Sequence, residues 1–292
     1  MSDFIVEVKS VSKNFNGKSV LNDLSLNVPK GSVFGLLGKN GSGKTTLIKC
    51  LLGLLKPQKG EVVTIGDNPL KFKNGTKEKL GYVPQADRIY PWLTVRQAID
   101  YTETFYTVWD TELVNKLVSI WELKETDKVG MLSEGQVQKL SIILSLGHRP
   151  ELLVFDEPVA SLDPAARRQF IKMILDLVAD RECTIFFSTH ITTDLERVAD
   201  RVALLKDGKI DFCGGLDELK DEVKRLRVTS KDPIKESIEA EGVLSCEILN
   251  NEAVISVRGF NEGMKKQLES KFNAEVQVEN LNLEEIFLEL NR

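Results

Sequence analysis

Ser32-Val33-Phe34-Gly35-Leu36-Leu37-Gly38-Lys39-Asn40-Gly41-Ser42-Gly43-Lys44-Thr45-Thr46-Leu47-Ile48-Lys49-Cys50-Leu51-Leu52 is the stretch on which the fold turns. Its centre, Gly38 to Thr45, matches the phosphate-binding pattern G-x-x-x-x-G-K-[ST] in full. A chance match in a chain of ordinary composition has a probability on the order of 1%. The context lowers it further. An apolar run that reads as a strand precedes the loop, and an apolar-periodic run that reads as a helix follows it, which puts phosphates at a helix N-terminus. The glycines let successive N–H groups turn inward to phosphate oxygens. Lys44 supplies positive charge to the β- and γ-phosphates, and the Thr45 hydroxyl suits Mg²⁺. Gly38, Asn40, Gly41, Ser42, Gly43, Lys44, Thr45 and Thr46 are therefore the expected phosphate cradle.

Outward from that loop, strands and helices alternate. Residues 4–9 and 24–28 suggest antiparallel edge strands, with a turn around Asn16-Gly17-Lys18. Strands are expected at 32–37, 60–65, 79–83, 151–155, 184–188, 201–206 and 209–212, and helices at 45–55, 164–180 and 193–199. From about 86 to 147 apolar residues recur at helical spacing. The order implies an α/β fold with a parallel sheet, an antiparallel β edge and a helical subdomain. After Gly214-Gly215 the character changes. A charged helix at 216–224 precedes strand 225–230, helix 232–241, strands 243–249 and 253–258, helix 261–271, strand 275–279 and helix 283–290. That is a split βαβ order. Two domains follow: 1–215, with its helical part at about 86–147, and a small α+β domain at 216–292.

Composition narrows the class. The 292 residues carry a formal charge of −5, which gives no electrostatic footprint for a nucleic-acid partner. Cys50, Cys183, Cys213 and Cys246 are scattered, without the spacing of a disulfide framework or zinc site. No apolar run nears the roughly 20 residues that span a bilayer, and the start has no signal-peptide pattern. A cytosolic protein is expected, seated on a membrane only through a partner.

Leu152-Leu153-Val154-Phe155-Asp156-Glu157 is a buried-type strand that ends in two carboxylates. Beside a phosphate loop, Asp156 is the expected Mg²⁺ ligand and Glu157 the expected general base for an attacking water. His148, at a helix end, reads as a partner of the helix dipole and not as a ligand.

Leu132-Ser133-Glu134-Gly135-Gln136 opens a helix shortly before that strand. With this segment, residues 1–215 resemble the nucleotide-binding subunit of an ATP-binding cassette (ABC) transporter, whose signature is usually Leu-Ser-Gly-Gly-Gln. The resemblance implies ATP and Mg²⁺ as cofactors. It implies that Ser133, Gly135 and Gln136 meet the γ-phosphate of ATP held by an opposite subunit. By the same resemblance Phe15 stacks on adenine, Gln85 (in Tyr82-Val83-Pro84-Gln85) senses Mg²⁺, Asp163 (in Ser161-Leu162-Asp163-Pro164) lies on the loop crossing the dimer interface, and His190 contacts the γ-phosphate. Catalysis would then rest on Glu157, His190, Lys44 and Gln85, and the metal on Thr45, Gln85 and Asp156. Asp163 is also a natural N-cap for the helix starting at Pro164. Glu134 departs from the signature: a carboxylate close to a γ-phosphate would repel it, whereas one pointing away would be harmless. An active site is expected, because Glu157 and His190 are both present.

The resemblance also implies partners: a homodimer or a heterodimer with a related ATPase, and a separate permease, which would hold the chain at the cytoplasmic face of the cell membrane. All four tyrosines and all three tryptophans fall between residues 82 and 121. Aromatics of this kind suit interfaces, so segment 86–121 is the expected docking surface, alongside their packing of a small helical subdomain. The ending Leu281-Asn282-Leu283-Glu284-Glu285-Ile286-Phe287-Leu288 is similar to that of bacterial exporters of the bacitracin-transporter and drug-efflux type. An exporter of peptide, antibiotic or lipid is implied. The alternatives are a soluble or regulatory ABC ATPase and an importer ATPase. A single cassette without a basic linker, and too short a span from 46 to 131 for a coiled-coil insertion, argue against the ribosome- and DNA-acting members.

Overall fold

The alternation at the start of the chain yields strands longer than the pattern suggests. β1 (Phe4–Phe15) and β2 (Lys18–Pro29) form an antiparallel pair around Asn16-Gly17, both at positive φ. Repeated register shifts along this pair break the period of two, which is why only 4–9 and 24–28 read as strand. The computed structural model describes residues 2–85, 89–159, 161–178, 183–234 and 242–292.

β3 (Val33–Leu37) is buried throughout and leads through the phosphate loop into α1 (Lys44–Leu51). β4 (Lys59–Thr64) pairs antiparallel with β1, so the edge sheet runs β2-β1-β4. After the short α2 (Asn74–Lys77) comes β5 (Leu80–Val83). The expected helical stretch then resolves into α3 (Val95–Glu103), α4 (Thr111–Ile120) and α5 (Glu134–Leu146), each with a side-chain N-cap from Thr94, Asp110 and Ser133 respectively. Its first residues, 86–88, lie outside the described residues. β6 (Leu152–Asp156), α6 (Pro164–Val178), β7 (Thr184–Thr189), α7 (Thr192–Leu195), β8 (Arg201–Lys206) and β9 (Lys209–Gly215) follow. The helix expected at 193–199 thus stops at Leu195, where the chain turns and Glu196 sends its carboxylate elsewhere.

The second sheet runs β5-β6-β7-β3-β8-β9, with parallel pairs from β5 to β8. Apolar residues of α1, among them Leu47, Ile48 and Leu51, fill the space between it and the edge sheet, against Val8, Leu24, Leu36, Val154 and Phe186. Truncating one such leucine to alanine costs about 2–5 kcal/mol. The register brings the ends of three strands side by side: Asp156 stands opposite Ser188, and Leu37 opposite Thr189. The phosphate loop leaves β3, the two carboxylates leave β6 and His190 leaves β7, so one edge of the parallel sheet collects all three. Carboxyl ends of parallel strands are where ligands bind in such sheets.

The chain divides into two compact units, Met1–His190 with Arg197–Cys213, and Ile191–Glu196 with Gly214–Arg292. In the second, α8 (Leu216–Glu222) leads to β10 (Val223–Ser230), β11 (Val243–Leu249), β12 (Glu252–Arg258), α9 (Glu262–Phe272), β13 (Ala274–Asn280) and α10 (Leu283–Leu290). The sheet order is β11-β12-β10-β13, antiparallel at every pair. β10 lies between β12 and β13, which α9 connects: this is the split βαβ arrangement. Leu226, Val228, Ile255, Val257, Leu268 and Val276 form its core. Of the helix expected at 232–241, residues 235–241 lie outside the described residues, and 232–234 are not helical.

Candidate functional site

The cradle is built by backbone shape. Gly43 precedes α1 at φ 111°, and a Cβ there would stand 2.9 Å from the Val20 carbonyl oxygen. No L-residue with a side chain fits both conditions. Gly43 ends the loop with the first amides of α1 free to face an anion.

Lys44 lies just inside, 6% exposed. Its ammonium donates to the carbonyl oxygens of Gly38 at 2.7 Å and Lys39 at 3.4 Å. Its third partner is Glu157 Oε1 at 3.1 Å. Glu157 is equally buried and holds the left-handed conformation at φ 54°, a strained shape for a residue with a side chain. Its other oxygen, Oε2, accepts from His190 Nδ1 at 2.8 Å and from the His190 backbone N–H at 3.3 Å. A carboxylate only accepts, so the His190 ring carries its hydrogen on Nδ1 in this contact. Lys44, Glu157 and His190 therefore form one chain of charge and hydrogen bonds across the ends of β3, β6 and β7.

Asp156 is anchored on one side only. Ser188 Oγ–H donates to Oδ1 at 2.7 Å, while Oδ2 is buried with no hydrogen-bond partner among the described residues. Ser42 Oγ is buried and similarly without a hydrogen-bond partner. Orphaned buried oxygens are costly unless an ion or ligand takes them up.

A cavity of about 280 Å³ gathers Asn40, Gly41, Gly43, Thr45 and Thr46 around Lys44 and adds Gln85 and Glu157. Two contributors escaped the sequence reading. Val20 of β2 forms part of the wall; its only signal was a position in an alternating strand. Ser188 orients Asp156 and also receives the Glu157 N–H at 3.2 Å; its signal was its place two residues before His190. Among the expected residues, Gly38 supplies an acceptor to Lys44 rather than cavity wall. Phe15 stands at the end of β1, 44% exposed, beside the Lys13 ammonium at 5.2 Å from the ring, and does not line the cavity.

Ser133, Gly135, Gln136 and Asp163 also lie outside it. They form a second, separate corner at the start of α5. Ser133 caps that helix: its Oγ accepts the Gln136 N–H at 3.3 Å, and Gln136 Oε1 accepts the Ser133 N–H at 3.0 Å. The amides of Glu134 and Gly135 belong to the first turn and lack intrahelical acceptors. A Cβ on Gly135 would meet the Ser161 carbonyl oxygen at 2.9 Å, so glycine lets the Ser161–Asp163 loop approach the helix tip. Glu134 is exposed on this turn. Asp163 Oδ1 accepts from the backbone N–H groups of Ala166 at 2.9 Å and Ala165 at 2.8 Å, and these bonds hold its carboxyl below the usual range. It is the N-cap of α6.

His148 is corrected. It is buried, stacked on Tyr106 with ring centroids 4.0 Å apart, and its Nε2 meets the Leu80 carbonyl oxygen at 3.2 Å. Burial pushes its pKa down to about 4, so it is neutral near pH 7 and no cationic partner of a helix dipole. The aromatic stretch divides in the same way. Trp121 is buried and Tyr106 stacks inward, but Trp92, Tyr90, Tyr101 and Phe105 form, in that order, an exposed ladder with successive ring centroids 4.9, 5.8 and 5.0 Å apart.

Residues 21–160 match the family model described as ABC transporter. The chain is 30% identical over 287 residues to the ABC transporter ATP-binding protein YtrB of Bacillus subtilis (strain 168), covering 97% of each chain. It is 34% identical over 208 residues to the bacitracin transport ATP-binding protein BcrA of Bacillus licheniformis, covering 70% of this chain and 68% of that one. Among solved structures it is similar to an ATP binding subunit of an ABC transporter, with a TM-score of 0.69 and 26% identity over 74% of this chain and 92% of the other.

Proposed function

The chain belongs to the ABC transporter family as an ATP-binding, ATP-hydrolysing cassette, and from that premise we propose that it drives a bacterial exporter of peptide, antibiotic or lipid through a separate permease. What supports this reading is that the expected site residues fall in two separate places. The cavity around Lys44 is lined by loop residues with Gln85 and Glu157, and by none of Ser133, Gly135, Gln136 and Asp163. The helix tip bearing Ser133 is a second anion-binding corner outside it. A head-to-tail pair of cassettes would close each cradle with the other subunit's tip.

The chemistry follows from the residues. The triphosphate replaces Glu157 as the anion beside Lys44, with loop amides on its oxygens. Glu157, released from the ammonium but still held by His190, faces the attacking water as general base. The water oxygen bonds to the γ-phosphorus, the bond to the ADP oxygen breaks, and the water proton passes to the Glu157 carboxylate. Ser133 and the first amides of α5 receive the γ-phosphate charge from the opposite side. The orphaned Asp156 oxygen, with the Thr45 hydroxyl and Gln85, fits Mg²⁺, which would neutralise phosphate charge. Phe15 supplies an aromatic face for adenine.

The exposed ladder Trp92-Tyr90-Tyr101-Phe105 supports permease docking on the α3 side of the helical subdomain. Amphipathic rings that remain in solvent are costly unless a partner covers them. No described helix is long and apolar enough to cross a membrane. BcrA, named for bacitracin transport, supports the cargo class.

Mixing two inactive variants tests the split site. Lys44→Ala and Ser133→Ala each disable both sites of a symmetric pair. A mixed pair carries both lesions in one site and leaves the other intact. Phosphate release should return to about one quarter of wild type. No recovery between chains that do associate would remove the shared site. Recovery only with a second, related ATPase would identify a heterodimer, and isolation of the complex from membranes would identify the permease.

A further inference from the structure

A second cavity of the first unit, of about 780 Å³, lies away from the phosphate loop, between α4 and α6. Its volume is within the roughly 300–1,000 Å³ of small-molecule sites. α4 and its C-cap contribute residues 113, 116, 117, 120 and 121, and α6 contributes residues 169, 172, 173, 176 and 177. Both sets follow the spacing i, i+3, i+4, i+7, i+8, so each is a single stripe along one side of its helix, about 12 Å long. Stripes of this kind ordinarily interlock; these two stand as opposite walls of an elongated slot.

Hydrocarbon and sulfur make up its depth. Trp121 is 3% exposed, and Leu117, Leu146, Met173 and Cys183 are buried with it. Burial pushes the Cys183 thiol up to about 12, so it stays protonated and acts as a small apolar group. Ile120 is exposed, so the lining reaches solvent. The charged residues of the lining are not equivalent. Arg149 Nε donates to Asp110 Oδ2 at 2.8 Å, and Glu151 pairs with Lys79 at 2.7 Å, so both are neutralised. Lys116 on one wall and Lys172 on the other make no ion pair among the described residues, and Asp176 is the one carboxylate left beside them. Lysines so placed lay their stems along apolar surface and keep their ammonium groups in water at its rim.

We propose that this slot binds a free long-chain carboxylate, a fatty-acid-like anion whose acyl chain lies along the two stripes and whose carboxylate meets Lys116 and Lys172. An elongated apolar slot suits an extended chain better than a compact ring system. Two unpaired cations drawn from opposite walls suit one anionic head between them, and together they outweigh Asp176. No residue of the nucleotide cradle lines the slot, so binding does not rest on the proposed transport role.

A brominated fatty acid, added to the full chain below its micelle concentration, reads the site through tryptophan quenching. The chain has three tryptophans, and of these Trp121 lines the slot. Quenching should saturate. Trp121→Phe should remove most of it, while calorimetry shows that the variant still takes up the acid. Trp92→Phe, on the exposed aromatic ladder, should leave the quenching in place, and Lys44→Ala should bind the acid as wild type does. Lys116→Gln combined with Lys172→Gln should weaken binding about 5- to 20-fold. Both lysines are exposed, so this double variant carries the test if Trp121→Phe does not fold. The brominated alcohol of the same chain length should bind about 5-fold more weakly or worse, since it lacks the charge that the lysines meet. Absence of saturable quenching would overturn the site, and so would a signal that follows Trp92 or ignores both lysines. Quenching of Trp121 only by brominated chains held in phosphatidylcholine vesicles would also overturn it, by making this face a membrane contact and not a pocket for a free acid.

Discussion

The two units use charge in opposite ways. In the first, Lys44 and Glu157 are paired with about 6% of each residue exposed, and Glu157 is held in a strained backbone conformation. In the second, the pairs Arg227–Glu279 and Arg258–Glu222 stand partly in solvent between ordinary strands and helices, while Asp194 and Glu289 are its buried charged residues among those described. A buried pair is a poor way to gain stability, since the desolvation of both ions offsets their attraction. A surface pair is nearly neutral. The contrast teaches that the buried pair is kept for what it does when a third charge arrives, and that the surface pairs dress a small sheet. Each variant that removes one of these charges tests that division.

The largest effect should come from the buried pair. Lys44→Ala removes the ammonium that faces the phosphates and should lower ATP turnover by about 10³-fold or more, measured as phosphate release. The fold should persist, because Glu157 keeps His190 as partner and Lys44 takes no part in the apolar core. Glu157→Gln approaches the pair from the other end. It should slow single-turnover phosphate release by about 10²–10³-fold while nucleotide is still retained. Equal single-turnover rates in Glu157→Gln and wild type would remove the general-base assignment. Unfolding of Lys44→Ala would make the pair structural and erase the contrast between the units.

A smaller effect should come from a buried group outside the chemistry. Folded His148 has its pKa lowered to about 4 from an ordinary 6.5 by burial, while the unfolded chain binds a proton at the ordinary value. The unfolded state therefore holds more protons between these values, and stability rises with pH across them. The contribution of His148 is complete above pH 6.5 and is lost as pH falls from 6.5 toward 4. The lowered carboxylates Asp110, Asp163 and Glu285 act below about pH 4.5, since their unfolded values lie there. Thermal midpoints measured from pH 7 to 4.5 should fall in wild type and fall less in His148→Phe, which keeps a ring to stack on Tyr106. Parallel slopes would remove His148 from the acid sensitivity of the first unit.

These same residues mark what a sequence makes legible. The phosphate loop, Asp156-Glu157 and the signature helix could be read because each is local: a few consecutive residues carry the pattern, and strand or helix context supplies the rest. The α/β order and the split βαβ order followed from periodicity in the same way. What was hidden is set by contacts far apart in the chain. Val20 joins the cradle because β2 passes behind Gly43. The pairing of Glu157 with Lys44 needs a positive φ that no residue type announces. His148 looked like a charged helix end because its neighbour in space, Tyr106, is 42 positions away. The segment after His190 read as one helix to residue 199, whereas α7 stops at Leu195 and Glu196 turns to Lys220 and the first amide of α10.

The smallest expected effect lies on the sheet of the second unit. Arg227 Nε meets Glu279 Oε1 at 3.1 Å between neighbouring strands β10 and β13, with the side chains 47% and 36% exposed. In that much solvent the attraction is screened, and holding two long side chains together costs rotamer entropy. Arg227→Ala should therefore change unfolding free energy by less than about 0.5 kcal/mol and leave ATP turnover unaltered. The double variant with Glu279→Ala should add nothing beyond the sum of the single changes, because a screened pair has little coupling to lose. A coupling above about 1 kcal/mol would mean that the pair is desolvated in the working protein. A partner surface would then cover this face, and the division between a charged site that works and a charged surface that does not would no longer follow the boundary between the units.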